Sequence, residues 1–358
     1  MGDKSTIEWT QATWNPLTGC TKVSSGCDNC YAETIAHRFA GTKAYPNGFE
    51  VTLRPDRLDQ PLRWKKPRRI FVNSMADLFH DAVPDEYIAQ VFAVMAASPH
   101  HTFQMLTKRH GRMRSLLSSV EFDLAVAEAW SRLGTTSGSL DDGDTTPPYP
   151  LPNVWIGVSV EDQKRADLRI PALLDTPAAV RWISAEPLLG PIDMFGPIDQ
   201  YGGRPRLNYW LPPGRPFFPP GKPGSMMSGP ISEKPTLDWV VVGGESGSKA
   251  RPMHPGWARS LRDQCHAAGV PFFFKQWGTW APGYSHGEGE DGPGDLFVNP
   301  DGQTGHAWFN ENLGYPTNYA GPWGEDSHLM SRVGKNAAGN VLDGCEWSEY
   351  PQPATTPA

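Results

Sequence analysis

Three cysteines, Cys20, Cys27 and Cys30, fall on one glycine-flanked stretch, Gly19-Cys-Thr-Lys-Val-Ser-Ser-Gly-Cys-Asp-Asn-Cys-Tyr31. Three thiolates on one loop can hold three corners of a [4Fe–4S] cluster. A cluster that only carries electrons takes four protein ligands, so three leave one iron open to a substrate or cofactor. A structural zinc wants a closed set of four. Here the other cysteines, Cys265 and Cys345, stand far off without CxxC partners, and His37 lies seven residues beyond Cys30. From the residues alone, three states stay open: an open-site iron–sulfur cluster, a structural zinc, and unligated thiols.

A second set of chemically capable residues follows short apolar runs. Asn73, Ser74 and Asp77 come after the first, then Thr107, Lys108 and Arg109, then Ser159 and Glu161. Ser184 and Glu186 follow, then Gly243, Gly244, Glu245 and Ser246, and finally Lys275 and Gln276. In a (β/α) barrel the C-terminal strand ends open onto one face, where sites are built. Loops after strands are also polar simply because they are exposed and cap helices. Asp77, Glu161, Glu186 and Glu245 are the oxygen donors a divalent ion would take, which makes a metal-assisted hydrolase or nuclease the alternative chemistry. Gly243 and Gly244 suit either a tight turn or a close approach of backbone to ligand.

Two stretches are basic. Arg63, Trp64, Lys65 and Lys66 run on to Arg68 and Arg69, and Lys108 and Arg109 run on to Arg112. Such charges meet phosphates, and an interleaved Trp can stack on a base. The same residues also suit a solvated surface. DNA, RNA and a free nucleotide are not distinguished, and a zinc-stabilised nucleic-acid-binding protein is the non-enzymatic alternative.

These residues need a scaffold. Short, β-branched and aromatic runs predict strands at 70–73, 103–106, 154–158, 180–184, 239–242 and 272–275. Their continuous apolarity suits a parallel sheet buried on both faces. Helical periodicity predicts helices at 31–40, 85–97, 161–174 and 257–268, the last closed by Gly269. The alternation gives an α/β fold, a partial (β/α) TIM-like barrel over residues 1–280. Two Gly/Pro-rich stretches, near 133–152 and 195–235, are expected as loop insertions. Residues 281–358 have no clear period and are expected as an irregular, acidic C-terminal extension containing Gly and Trp.

The chain has 358 residues and a formal charge of −7, so it carries no global signature of nucleic-acid binding. The charge is uneven: residues 284–350 hold eleven acids against Arg332 and Lys335, a net of −9, which leaves the rest near +2. No apolar run approaches the ~18 residues of a membrane span. The polar start and the odd number of cysteines predict reduced thiols in a cytoplasm, with no membrane partner.

Several segments together resemble a known family. They are Trp14-Asn-Pro-Leu-Thr-Gly-Cys20, Cys30-Tyr-Ala-Glu33, Val72-Asn-Ser-Met-Ala-Asp-Leu-Phe79 and Leu106-Thr-Lys-Arg109. The resemblance continues in Val154-Trp-Ile-Gly-Val-Ser-Val-Glu161, Ser184-Ala-Glu-Pro-Leu-Leu189, Val242-Gly-Gly-Glu-Ser-Gly247, Arg251-Pro-Met-His254 and Phe272-Phe-Phe-Lys-Gln-Trp277. The chain resembles the three-cysteine-motif family of phages and prophages, the gene product thirty-seven / sixty-eight family. That family in turn is similar to radical S-adenosylmethionine (SAM) enzymes. The resemblance implies a barrel of radical SAM type, with a [4Fe–4S] cluster on Cys20, Cys27 and Cys30 and SAM on its open iron. It also implies an electron donor, a partner protein encoded nearby, and a host bacterial cytoplasm. Asn73, Ser74 and Asp77 are the residues best placed for SAM's amino group, with Ser159, Glu161, Glu186, Gly243, Gly244 and Glu245 as further cofactor-binding candidates. The motif departs from the usual C-x3-C-x2-C of radical SAM enzymes in its six-residue first gap. Asn29 also stands where an aromatic residue usually precedes the third cysteine.

Overall fold

The computed structural model describes residues 5–134, 146–195, 210, 235–283, 295–306, 308–310, 315–317 and 326–352. Most of the expected insertion at 195–235, the middle of the one at 133–152, and parts of the C-terminal extension lie outside the described residues.

Seven strands form one parallel sheet in strict chain order. They are β1 (Ala12–Trp14), β2 (Arg69–Val72), β3 (Thr102–Thr107), β4 (Val154–Ser159), β5 (Val180–Ala185), β6 (Trp239–Gly243) and β7 (Phe272–Gln276). The sheet curls as a half-barrel, so the fold is mixed α/β with the character of a partial (β/α) barrel. Unbroken strand order is what repeated strand–helix–strand crossovers of one hand produce. Every residue of β4 and β6 is buried, which explains why these strands read as continuous apolar runs rather than alternating ones.

Among the described residues, six helices of eight residues or more accompany the strands: α1 (Tyr31–Arg38), α2 (Asp85–Ala96), α3 (His110–Leu117), α4 (Val120–Arg132), α5 (Gln163–Leu174) and α6 (Pro255–Ala268). The ends follow local chemistry. Pro84 stands at the N-cap of α2, with Asp85 and Glu86 in its first turn. Pro255 opens α6, the His254 ring accepts from the Gly256 amide, and Gly269 closes the helix at φ 70°. The chain divides into two compact units: Met1–Ser159 with Arg169–Ile183, and Val160–Leu168 with Ser184–Ala358.

In the first unit, α2 packs on α4 through Phe92 and Phe122, edge to face with centroids 5.3 Å apart. Trp9 stacks edge-on against Phe71 and Trp182 in the core. Helices α3 and α4 lie between β3 and the insertion near 133–152, where the sequence pattern predicted no element.

In the second unit the C-terminal extension departs from the expectation of irregular chain. Trp280–Pro282, His328–Arg332, Leu296–Val298 and Thr304–His306 form a four-stranded antiparallel sheet in that spatial order. The chain end is also stitched to β7. The Phe274 amide donates to the Trp347 carbonyl at 2.9 Å, and the Phe272 amide donates to the Glu349 carboxylate at 2.8 Å. Backbone groups of a sheet strand need partners, and these residues supply them. Among the described residues, no helix is long and apolar enough to cross a membrane.

Candidate functional site

The three cysteines sit on the loop between β1 and α1. Gly19 enters it at φ 89°, and a Cβ there would lie 2.1 Å from the Glu50 carbonyl oxygen, so only glycine fits. The Gly19 amide donates to Met75 O at 3.1 Å and the Cys20 amide to Phe49 O at 3.2 Å. A short 3-10 turn, Ser25–Cys27, follows. Cys30 then occupies the N-cap of α1 with extended backbone, but its side chain makes no capping bond. All three thiols are free and half-buried.

The segment after β2 lies against this loop. Tyr31 Oη donates to the Ser74 carbonyl at 2.6 Å, and Ser74 Oγ exchanges bonds with the Asn15 amide. Thr21 Oγ1 lies 2.9 Å from His80 Nε2. Because the Ala82 amide donates to His80 Nδ1, the ring proton sits on Nε2 and faces Thr21. Burial, with Arg109 second, holds His80 below the usual histidine range. Asn73, Ser74 and Asp77 are therefore gathered beside the cysteine loop.

Their side chains differ in what they have left to give. Asp77 is buried and already accepts from Thr107 Oγ1 at 2.7 Å, the Lys108 amide at 3.0 Å and the Phe79 amide at 3.1 Å. It ties the end of β2 to the end of β3. Asn73 is 4% exposed, stands at φ 61°, and neither polar atom of its side-chain amide has a partner among the described residues. A buried unpaired amide costs about 1–3 kcal/mol, and a left-handed non-glycine residue adds strain of about 1 kcal/mol or more. Two costs at one residue mark a group kept for something other than stability.

Two arginines also hold the loop, and sequence inspection missed one of them, Arg169. Arg169, 3% exposed on α5, donates through Nη2 to Ser24 Oγ at 2.9 Å and through Nη1 to the Ser159 carbonyl at 2.7 Å. Arg109 donates to Thr21 Oγ1 at 2.7 Å and pairs with Asp81 at 3.2 Å. Burial pushes the Cys20 thiol up to about 11, Asp77 adds to the rise, and Arg109 opposes it.

In the second unit the candidate carboxylates are already paired. Lys275 Nζ lies 2.7 and 3.0 Å from the two Glu186 oxygens, and Gln276 Nε2 donates to the same carboxylate at 3.1 Å. Glu245 takes a two-pronged contact from Arg251, whose Nη2 and Nε lie at 2.7 and 2.9 Å. Glu161, fully buried, has Arg165 Nε at 3.6 Å. Carboxylates neutralised by arginine and lysine do not offer the uncompensated charge a divalent ion takes. Gly243 faces Glu186, and a Cβ on Gly244 would lie 1.9 Å from the Trp277 carbonyl oxygen. The second glycine is thus required by the chain's own backbone and not by a ligand.

The basic stretches also separate. Arg109 and the Lys108 amide belong to the cysteine-loop network just described. Trp64 is 8% exposed, with the Arg68 guanidinium 5.1 Å from its ring centroid, so it is not the free stacking platform that its sequence neighbours suggested. Arg63, Lys65 and Lys66 are exposed, and Arg63 pairs with Asp59 at 2.5 Å.

The donor set fits a sulfur-ligated cluster in kind: three free, half-buried thiols on one loop, with Cys20 and Cys27 within electrostatic reach of each other. Among the described residues, no three His, Cys, Asp or Glu side chains are gathered as a metal site. Ligation would therefore draw the loop together, as metal sites commonly do when binding completes local folding.

The model of the family described as "Protein of unknown function (DUF5131)" matches residues 4–351. No curated protein and no solved structure matches the chain.

Proposed function

We propose that this chain, which belongs to the DUF5131 family, is an iron–sulfur protein of radical SAM character that modifies a nucleic acid or nucleotide. The observation that carries the proposal is the meeting of three free thiols with a buried, unpartnered Asn73 amide in the segment laid against their loop. Cys20, Cys27 and Cys30 would hold a [4Fe–4S] cluster. When bound and reduced, such a cluster supplies the electron that cleaves a C–S bond of SAM. Asn73 has a donor and an acceptor to offer a polar ligand. Asp77 keeps one carboxylate lone pair beyond its three donors, while its main task is to hold β2 and β3 in register at the site. Arg169 and Arg109 brace the loop from two directions. An electron donor, a partner protein encoded nearby and a cytoplasmic setting complete the reading, the last supported by the free cysteines.

The paired state of Glu161, Glu186 and Glu245 favours no second reading as a hydrolase. The test is anaerobic reconstitution with iron and sulfide, followed by metal analysis and an ultraviolet–visible spectrum. The wild-type protein should be brown and a Cys20/Cys27/Cys30→Ala variant colourless. Reduced, loaded protein given SAM should release 5′-deoxyadenosine and methionine. Stoichiometric zinc with no iron would overturn the cluster, and a well-loaded cluster that ignores SAM would overturn the radical assignment.

A further inference from the structure

Four of the eight large apolar side chains exposed among the described residues lie together, on the cysteine loop and along α1: Val23, Tyr31, Ile35 and Phe39. Tyr31, Ile35 and Phe39 recur every fourth residue, so they climb one side of the helix, with Phe39 at its C-cap. Ala32 and Ala36 point inward instead, into a small core with Tyr45 and Met75. The two aromatic residues stand about 12 Å apart along the axis, from the helical rise. Tyr31 is 52% exposed and is anchored through Oη to the Ser74 carbonyl, so the ring is held in place with half of its surface open. Phe39 is 47% exposed, and its ring meets no other ring among the described residues. Scattered exposed apolar residues are ordinary, but a contiguous stripe marks an interaction surface.

The charge beside this stripe decides the partner. Residues 38–69 hold nine Lys/Arg and three Asp/Glu, a net of +6 in a chain whose total is −7. Part of that charge is already committed. Arg54 and Arg57 lie on Asp56, Arg63 pairs with Asp59, and Arg68 lies against Trp64. Arg38, Lys43, Lys65 and Lys66 are exposed and have no hydrogen-bond or ion-pair partner among the described residues. Against these four, Glu50 is the one exposed acid of the stretch without a cation among the described residues. The loop after α1 brings the charges together. Tyr45 turns inward into the same small core as Ala36, and Ala44 lines a groove with Arg63 and Trp64. Lys43, next to Ala44 in the chain, thus links the end of α1 to the Lys65-Lys66 segment.

We propose that α1 and the basic segment beyond it bind a single-stranded nucleic acid, with bases on Tyr31 and Phe39 and phosphates on Arg38, Lys43, Lys65 and Lys66. Free cations along a surface track a phosphate backbone, and exposed aromatic rings take successive bases. A duplex keeps its bases stacked inside and offers the rings no face. An acidic protein satisfies the cations but gives the two rings no stacking partner. The proposal deepens the preceding reading by naming a strand as the substrate that reaches the cysteine loop, and rests on it in that respect. Binding itself needs neither cluster nor cysteine.

The experiment is fluorescence anisotropy on the full, metal-free chain with labelled 12-nucleotide single-stranded DNA and RNA, the matching DNA duplex, and polyglutamate as competitor. At least one single strand should bind about tenfold or more tightly than the duplex, and the stronger of the two arms identifies DNA or RNA. Phe39→Ala should weaken strand binding about fivefold or more, as loss of one stacked base does, and Phe39→Trp should restore it. Lys65→Ala with Lys66→Ala should lower the slope of log affinity against log salt by roughly 1.4, the share of two phosphates on a single strand. Val120→Ser with Leu124→Ser, which alters the exposed face of α4, should leave binding unchanged, and circular dichroism should be the same for every variant. The Cys20/Cys27/Cys30→Ala variant should keep the wild-type affinity. Strand binding by a protein that loads no iron would overturn the cluster alone, and a loaded, SAM-cleaving protein that binds no strand would overturn this proposal alone. Affinity that Phe39→Ala leaves unchanged, a duplex bound as tightly as a strand, or polyglutamate competing as well as an unlabelled strand would also overturn it, the last in favour of an acidic protein.

Discussion

Arg169 Nη2 donates to Ser24 Oγ at 2.9 Å, across 145 residues of sequence, and so fixes the middle of the cysteine loop to a buried guanidinium. The same side chain satisfies the carbonyl at the end of β4. One arginine therefore joins a sheet strand to a loop that has few apolar anchors of its own.

The loop should loosen when this bond is removed. Ser24→Ala is expected to cost about 1 kcal/mol of stability, while Arg169→Ala, which strips a buried charged anchor, should cost about 2–4 kcal/mol. Hydrogen exchange should rise at residues 24–29 in the Ser24 variant before it rises in the sheet. Unchanged exchange there would show that the bond does not restrain the loop.

Cys20 should behave as a protonated thiol at neutral pH in the metal-free protein. Its folded value of about 11 lies above the ordinary value of 9.0, first because of burial and then because of Asp77. Alkylation at Cys20, followed by peptide mass spectrometry, should therefore accelerate with pH up to about 11. Asp77→Asn should move the midpoint down and Arg109→Leu should move it up. A Cys20 midpoint at or below the ordinary thiol value would contradict the arrangement.

Five histidines, His80, His101, His110, His254 and His328, are all held below the ordinary value of 6.5, each first by burial. Their folded values are depressed, so the unfolded chain takes up protons at a higher pH than the folded one. Stability is then complete above about 6.5 and falls as pH drops below it. Urea midpoints measured between pH 7.5 and 5 should decrease steadily, and the His80→Gln variant should lose part of that slope. A midpoint that stays level over this range would count against buried neutral histidines.

Much of this framework was legible in the sequence, because burial on both faces forces continuous apolar composition. The strand expected at 154–158 is found at Val154–Ser159, and the helix expected at 257–268 is found at Pro255–Ala268. Helix α4 was hidden for a physical reason: Val120 and Leu124 are 70% and 65% exposed, so apolar residues on its outer face blur the helical period. The antiparallel strands of the C-terminal extension are only three to five residues long and too short to show alternation. At the site, the proximity of Asn73, Ser74 and Asp77 to the cysteines followed from strand order. The role of Arg169 did not, because a polar contact over 145 residues leaves no periodic trace. Trp64 misled for the opposite reason: basic neighbours in sequence suggested exposure, while His101 and Arg68 lie against the ring and the residue is 8% exposed.

The last prediction separates binding from stability at Asn73. The residue combines a left-handed backbone with a buried amide that has no partner among the described residues. Glycine at this position removes the backbone strain and the unpaired polar atoms together. Against that stands the greater entropy of glycine in the unfolded chain, worth up to about 1 kcal/mol, and the small space left by the side chain. Asn73→Gly should therefore fold with a melting temperature equal to or above that of the wild type, unlike most buried polar deletions. If the amide serves the ligand of the cysteine site, the same variant should load iron normally but bind SAM about tenfold or more weakly, the share expected of one or two lost buried hydrogen bonds. The two readouts point in opposite directions only for a residue kept for function at a cost in stability. A variant that melts several degrees lower would assign Asn73 a structural role, and unchanged SAM affinity in a loaded protein would remove it from the site.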